Sequence, residues 1–208
     1  MIIINPQESP EAIVIWLHGL GADGNNFVPF IKSLGIEKIE FNLPDAPIRP
    51  ITLNQGMKMR GWYDIHSKDF SYQDTDGLLK SKELIEKIIK TRMAQIKKPI
   101  KIFLGGFSQG AALALFTGIT SKFHIDGIVA LSGYMPIIED PKQNNNLPII
   151  AIHGLLDDII NINHAELSYQ HRKKSKFFNF KKYNMGHEVI HNEIKDVNNF
   201  FLSNLHDD

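Results

Sequence analysis

The chain has 208 residues, 43% hydrophobic and 22% charged, the usage of a globular protein long enough to build a core without covalent staples. Lys+Arg 23 against Asp+Glu 23 gives zero formal charge, which argues against bulk binding to nucleic acid or acidic membranes. Zero cysteines exclude disulfides, thiolate catalysis and Cys-ligated metal centres.

The chain begins Met1-Ile2-Ile3-Ile4-Asn5-Pro6. It lacks a basic leader, and no apolar run approaches the roughly 18 residues of a membrane span. These features predict a cytoplasmic protein with one domain over 1–208. Ala12–Leu17 is a continuous apolar run, the mark of a strand covered on both faces. A second, weaker strand is expected over Ile36–Phe41. Asp76–Ile96 reads as a helix, with Leu78, Ile85, Ile89, Met93 and Ile96 on one stripe and Pro99 as its stop. Then follow a strand at Ile100–Gly105, a helix at Gln109–Thr120, and strands at Gly127–Leu131 and Leu147–Ile152. A helix near His164–Arg172, a strand at Lys176–Tyr183 and a last helix over about His187–Leu205 complete the pattern. Strands alternating with helices predict an α/β fold, a mostly parallel sheet with helices on both faces. Pro44 to Thr75 reads as one long irregular stretch, too apolar for disorder.

The sharpest motif is Gly106-Phe107-Ser108-Gln109-Gly110. It follows the strand IFLGG and precedes the helix AALALF, the strand–turn–helix setting that a G-x-S-x-G nucleophile turn requires. The helix beginning at Gln109 aims free N–H groups at whatever Ser108 attacks. A serine needs a base, and the base an orienting acid. Downstream, His153-Gly154-Leu155-Leu156-Asp157-Asp158 and Met185-Gly186-His187 each follow a strand, at the sheet edge where open α/β sheets place their sites. On spacing alone Asp157 and Asp158 are equivalent. His191 rivals His187 from one turn into the last helix. His153 suits a structural role, and His206 and the remaining histidines lack a loop after a late strand.

Two other motifs compete. Gly19-Leu20-Gly21-Ala22-Asp23-Gly24 matches a dinucleotide turn, with Asp45 near the usual spacing. Against it, Asp45 sits in a Pro-flanked turn and Pro29 interrupts the expected helix; H-G-x-G suits an oxyanion loop better. His187-Glu188-Val189-Ile190-His191 is a literal H-E-x-x-H, the basis of an alternative zinc-dependent hydrolase. No third ligand follows, because Ile194 and Val197 belong to the last helix's apolar stripe. A non-catalytic binding module is the other alternative. The basic run His171–Lys176 reads as a solvated helix end.

Taken together, the stretches Ile15–Phe27, Pro44–Ile65, Gly105–Leu115, Leu131–Pro136, His153–Ile160 and Met185–Val189 resemble the phospholipase/carboxylesterase family of α/β-hydrolases, which includes acyl-protein thioesterases and bacterial carboxylesterases. The resemblance implies the α/β-hydrolase fold and a triad of Ser108, Asp157 and His187. It also implies an oxyanion hole from the N–H groups of Leu20 and Gln109, with no metal and no organic cofactor. Substrates would be small acyl esters, lysophospholipids or acylated proteins, with at most transient membrane-surface contact and no nucleic acid. Where the family often carries Gly-Asp after His-Gly and Val-Pro after the acid, this chain has Leu155-Leu156 and Ile160-Asn161. Leu53, Met57, Trp62, Leu155 and Leu156 are the expected lining of an apolar acyl groove. Arg60 reads as one side of a structural ion pair.

Overall fold

The computed structural model describes residues 1–70, 72–96, 98–138 and 146–205; His206 lies outside them. Among the described residues the nine strands are β1 (Ile2–Ile4), β2 (Ala12–Leu17), β3 (Ile39–Leu43), β4 (Ile48–Ile51), β5 (Met57–Arg60), β6 (Lys101–Phe107), β7 (Gly127–Leu131), β8 (Ile149–Gly154) and β9 (Phe178–Tyr183). Its α-helices are α1 (Val28–Ser33), α2 (Thr75–Gln95), α3 (Gln109–Thr120), α4 (Ile162–Ser168) and α5 (His191–Leu205). Seven strands form one sheet in the order β1-β3-β2-β6-β7-β8-β9. Only β1 runs antiparallel to its neighbour. This is the mostly parallel, helix-covered sheet that the alternating pattern predicts.

The unbroken apolar run of β2 follows from burial on both faces. Ile13, Ile15 and Leu17 join the core under α2 and α3. Ala12, Val14 and Trp16 join the core under α1 and α5. Because β2 and β6 pair in parallel up to Leu17 and Gly106, the segments that leave both strands emerge at one sheet edge.

Ile2–Ile4 is a strand that the sequence pattern does not signal, pairing with β3. Three expectations are corrected. Pro29 does not interrupt a helix: it stands in the first turn of α1, where the missing N–H costs nothing. Part of the Pro44–Thr75 stretch is regular, since β4 and β5 form an antiparallel hairpin, followed by the start of α2 at Thr75. The last helix begins at His191 rather than His187, so His187–Ile190 is loop.

Candidate active site

Ser108 sits between β6 and α3 with φ 55 and ψ −120, a backbone setting that costs a non-glycine residue of order 1–3 kcal/mol. Close packing enforces it. A Cβ on Gly106 would meet the Gly110 carbonyl carbon at 2.6 Å, and one on Gly110 would meet the His18 carbonyl oxygen at 2.6 Å. Strand and helix can therefore approach only if both residues are glycine. Ser108 N–H donates to Leu131 O (2.8 Å) and Ala112 N–H to Ser108 O (3.1 Å), tying the turn to β7 and α3.

His187 Nε2 lies 2.9 Å from Ser108 Oγ, and its Nδ1 lies 2.8 Å from Asp157 Oδ2. The ring packs on Phe107, centroid to centroid 4.8 Å. The other carboxylate oxygen, Oδ1, accepts the backbone N–H groups of Ile159 (2.9 Å) and Ile160 (2.8 Å). Burial by itself pushes the Asp157 carboxyl up. Hydrogen bonds from His153, His187 and the Ile160 N–H outweigh it and hold the group well below the usual carboxylate range. Asp158 instead lines a cavity beside Ser108.

The segment opposite, Leu17 to Gly24, is braced by side-chain and backbone hydrogen bonds. His18 Nδ1 meets Gly19 O at 2.7 Å and its Nε2 accepts Ala46 N–H at 3.0 Å, which places the ring proton on Nδ1. Burial lowers the pKa of His18, consistent with a ring that accepts at Nε2. Trp62 Nε1 donates to His18 O (2.8 Å). The Gln109 side chain accepts Trp62 N–H (3.0 Å) and donates to Tyr63 O (2.7 Å). Gly21 N–H donates to Arg60 O (2.8 Å). Among the described residues, the backbone N–H groups of Leu20 and Gln109 find no protein acceptor, and both residues line the cavity that contains Ser108.

A model of the phospholipase/carboxylesterase family matches residues 1–205. The chain is similar to acyl-protein thioesterase 1 of Emericella nidulans, 37% identical over 95% of this chain and 92% of that one. Acyl-protein thioesterase 1 of Saccharomyces cerevisiae is 36% identical over 92% of both. The chain belongs to the phospholipase/carboxylesterase family. In its fold this family member superposes on acyl-protein thioesterase 2 of Zea mays with a TM-score of 0.87, 27% identity and 98% coverage of each chain.

The competing motifs of this family member resolve structurally. Asp45 Oδ1 accepts the Gly24 N–H at 2.9 Å, and Gly24–Phe27 is a short 3-10 turn capped by Asp23. The glycine-rich stretch is therefore occupied with its own loop. His187 and His191 do not share a helix, because α5 starts at His191. Among the described residues, no group of three His, Cys, Asp or Glu side chains could hold a metal.

The cavity at Ser108 measures about 150 Å³ and is lined by Leu20, Leu53, Ile65, Phe70, Tyr134 and Ile159 among others. Of the expected groove residues, only Leu53 is among them. Trp62 is fully buried, because its indole is spent bracing His18. Leu155 and Leu156 expose their side chains and contribute backbone instead, donating N–H to Tyr183 O (2.8 Å) and Met185 O (3.0 Å). That stitches the Asp157 loop to the His187 loop. Met57 stands exposed on the hairpin. Among the described residues no ion pair is formed by Arg60, whose Nη1 donates to Ala46 O at 3.1 Å. Sequence reasoning missed Ile65, Phe70, Tyr134 and Ile159 as lining. Ile159 was findable, two residues beyond the candidate acid. A larger cavity of about 430 Å³ shares Phe70 and Tyr134 with the first.

Proposed function

We propose that the chain is a serine hydrolase that cleaves acyl esters and thioesters through an acyl-enzyme. The observation that carries this reading is the continuous Ser108–His187–Asp157 hydrogen-bond chain, 2.9 and 2.8 Å, opening on an apolar cavity. The thioesterase relatives support it. Ser108 Oγ attacks the carbonyl carbon while His187 Nε2 takes its proton. Asp157 keeps the other ring nitrogen protonated and stabilises the imidazolium. The oxyanion settles against the N–H groups of Leu20 and Gln109, each worth on the order of 10²–10³ in kcat. Collapse expels the alcohol or thiol, which leaves with the His187 proton. Water, deprotonated by His187, then attacks the acyl-serine and releases the acid. Residues of this chain supply every group in that sequence.

The cavity beside Ser108 suits the acyl chain. An acylated protein, a lysophospholipid or a small ester would each present its leaving group outward. Among the described residues no helix is long and apolar enough to cross a membrane. The test is labelling with a serine-directed fluorophosphonate and peptide mapping. One adduct at Ser108, with hydrolysis of p-nitrophenyl butyrate lost in Ser108→Ala, supports the reading. Labelling elsewhere, or retained hydrolysis in that variant, overturns it.

A further inference from the structure

Asp157 Oδ2 faces two imidazoles rather than one. His187 Nδ1 is 2.8 Å away and His153 Nε2 is 3.2 Å away. The same His153 nitrogen lies 2.7 Å from Ile160 O. Both of its neighbours are acceptors only, so His153 carries its proton on Nε2 and shares it between them. Its Nδ1 is buried with no protein partner among the described residues, so a second ring proton would have no acceptor. The ring stands on β8, held by β7 on one side and β9 on the other, and it is fully buried. It therefore joins a rigid strand to the loop that presents Asp157. With Ile159 and Ile160 N–H on Oδ1, the carboxylate has four donors, which fills its acceptor sites.

The geometry points to His153 as a positioning residue for the proposed reaction. Donating to the oxygen that His187 also uses, it fixes where that oxygen points and how much of its charge the His187 ring feels. This inference rests on the serine-hydrolase reading above. Other ionisable groups near the pair include His164, which feels the charge of His153, Asp158 at the cavity wall, Glu188 beside Gly186 N–H at 3.4 Å and Glu193, which accepts Ile190 N–H at 2.7 Å. None of these four hydrogen-bonds Asp157 among the described residues, and the tests leave all four in place.

His153→Phe keeps a planar ring and removes the donor. It should lower kcat roughly ten- to hundred-fold, as loss of an orienting partner behind a reactive group does, with KM little changed. The acidic limb of the kcat/KM profile should move to higher pH, because more of the carboxylate's charge then faces His187 and favours its protonated form. His153→Gln places an amide N–H near the same spot and should recover most of kcat and the original limb. Equal losses in both variants, or a Tm change with an unmoved pH profile, would mean that His153 only fills the strand end. Should His153→Phe not fold, the unmodified protein decides. ¹⁵N-histidine NMR should show a ring protonated at Nε2, its signal assigned through His153→Gln, and an Nδ1–H tautomer overturns the proposal. If Ser108→Ala abolishes hydrolysis while His153→Phe behaves as the parent, only this inference fails. If Ser108→Ala stays active, the reading beneath it fails as well.

Discussion

The turn that carries Ser108 and the paired loops that carry Asp157 and His187 meet at 2.9 Å, yet different forces shape them. The serine side is set by excluded volume. Two glycines, a positive φ and backbone against backbone leave Ser108 no alternative place. The acid–base side is set by polar contacts: four donors on one carboxylate, a ring on its oxygen, and backbone N–H groups of Leu155 and Leu156 crossing to the next loop. Steric devices are all-or-none and insensitive to pH. Polar devices are graded and titrate. Substitutions on the two sides should therefore fail in different ways.

Ser108→Ala should cost the most, on the order of 10⁵–10⁶ in kcat, with Tm little changed because, among the described residues, the hydroxyl's bond to His187 is the only hydrogen bond lost. Asp157→Asn comes next. The backbone N–H groups of Ile159 and Ile160 hold one end of the side chain, so the amide NH₂ must turn toward His187 and His153. There it faces an N–H, forces the wrong His187 tautomer, and lowers kcat about 10⁴-fold. Equal kcat in Asp157→Asn and the parent would remove Asp157 from the chemistry.

Gly110→Ala attacks the steric side. The new methyl would press on the carbonyls of Leu17 and His18, which are backbone and cannot swing away. A loss of several kcal/mol, of the size seen for severe core overpacking, should appear as a much lower midpoint in urea. Whatever protein remains folded should keep an ordinary pH profile. A shifted profile with normal stability would mean that the serine turn is set by polar contacts and not by volume.

The steric side was also the more legible in sequence. Gly106, Ser108 and Gly110 carry their meaning in spacing, and the apolar runs of β2 and β6 carry theirs in composition. Polar partnerships carry no such period. Nothing in the sequence marks Trp62 as a brace for His18, since the two meet across elements far apart in the chain; His153 and Asp157 are only four residues apart, but no spacing rule says that the loop after β8 folds the acid back over the ring. The hairpin was hidden for another reason. Pro50 lies inside β4, and proline in a candidate strand argues against one except at an edge; here β4 is one of only two strands in its sheet. The onset of α5 at His191 was misplaced because Ile190 extends the apolar spacing backward while the backbone of His187–Ile190 remains loop.

A smaller effect belongs to Glu193, fully buried in the first turn of α5. Burial raises its pKa to about 7 against an ordinary 4.5, and Asp196 and Glu188 add to the rise while the Ile190 N–H opposes it. The folded chain thus holds this proton more tightly than the unfolded one, so stability is fully present below about pH 4.5 and falls as pH rises toward 7. The whole shift corresponds to roughly 3 kcal/mol. Glu193→Gln keeps an acceptor for Ile190 N–H and removes the ionisation. It should raise Tm by several degrees at pH 8 and leave it unchanged at pH 4. A gain of equal size at both values would place the effect in packing instead.

The weakest expected change tests where the apolar cavity meets both sides. Leu53 lines it from the hairpin segment, and Ile159 lines it from the acid loop. Leu53→Ala removes apolar surface from the wall without touching the bonds to Asp157, so an octanoyl ester should lose about three- to tenfold in kcat/KM relative to an acetyl ester. That is the size expected when one to two methylenes' worth of contact is lost. The acidic limb of the profile should stay fixed, because the donors on Asp157 are unchanged. Should the ratio hold constant across the series from acetyl to octanoyl, the acyl chain lies elsewhere. The 430 Å³ cavity beyond Phe70 and Tyr134 would then be the next wall to alter, since it meets the first at those two rings.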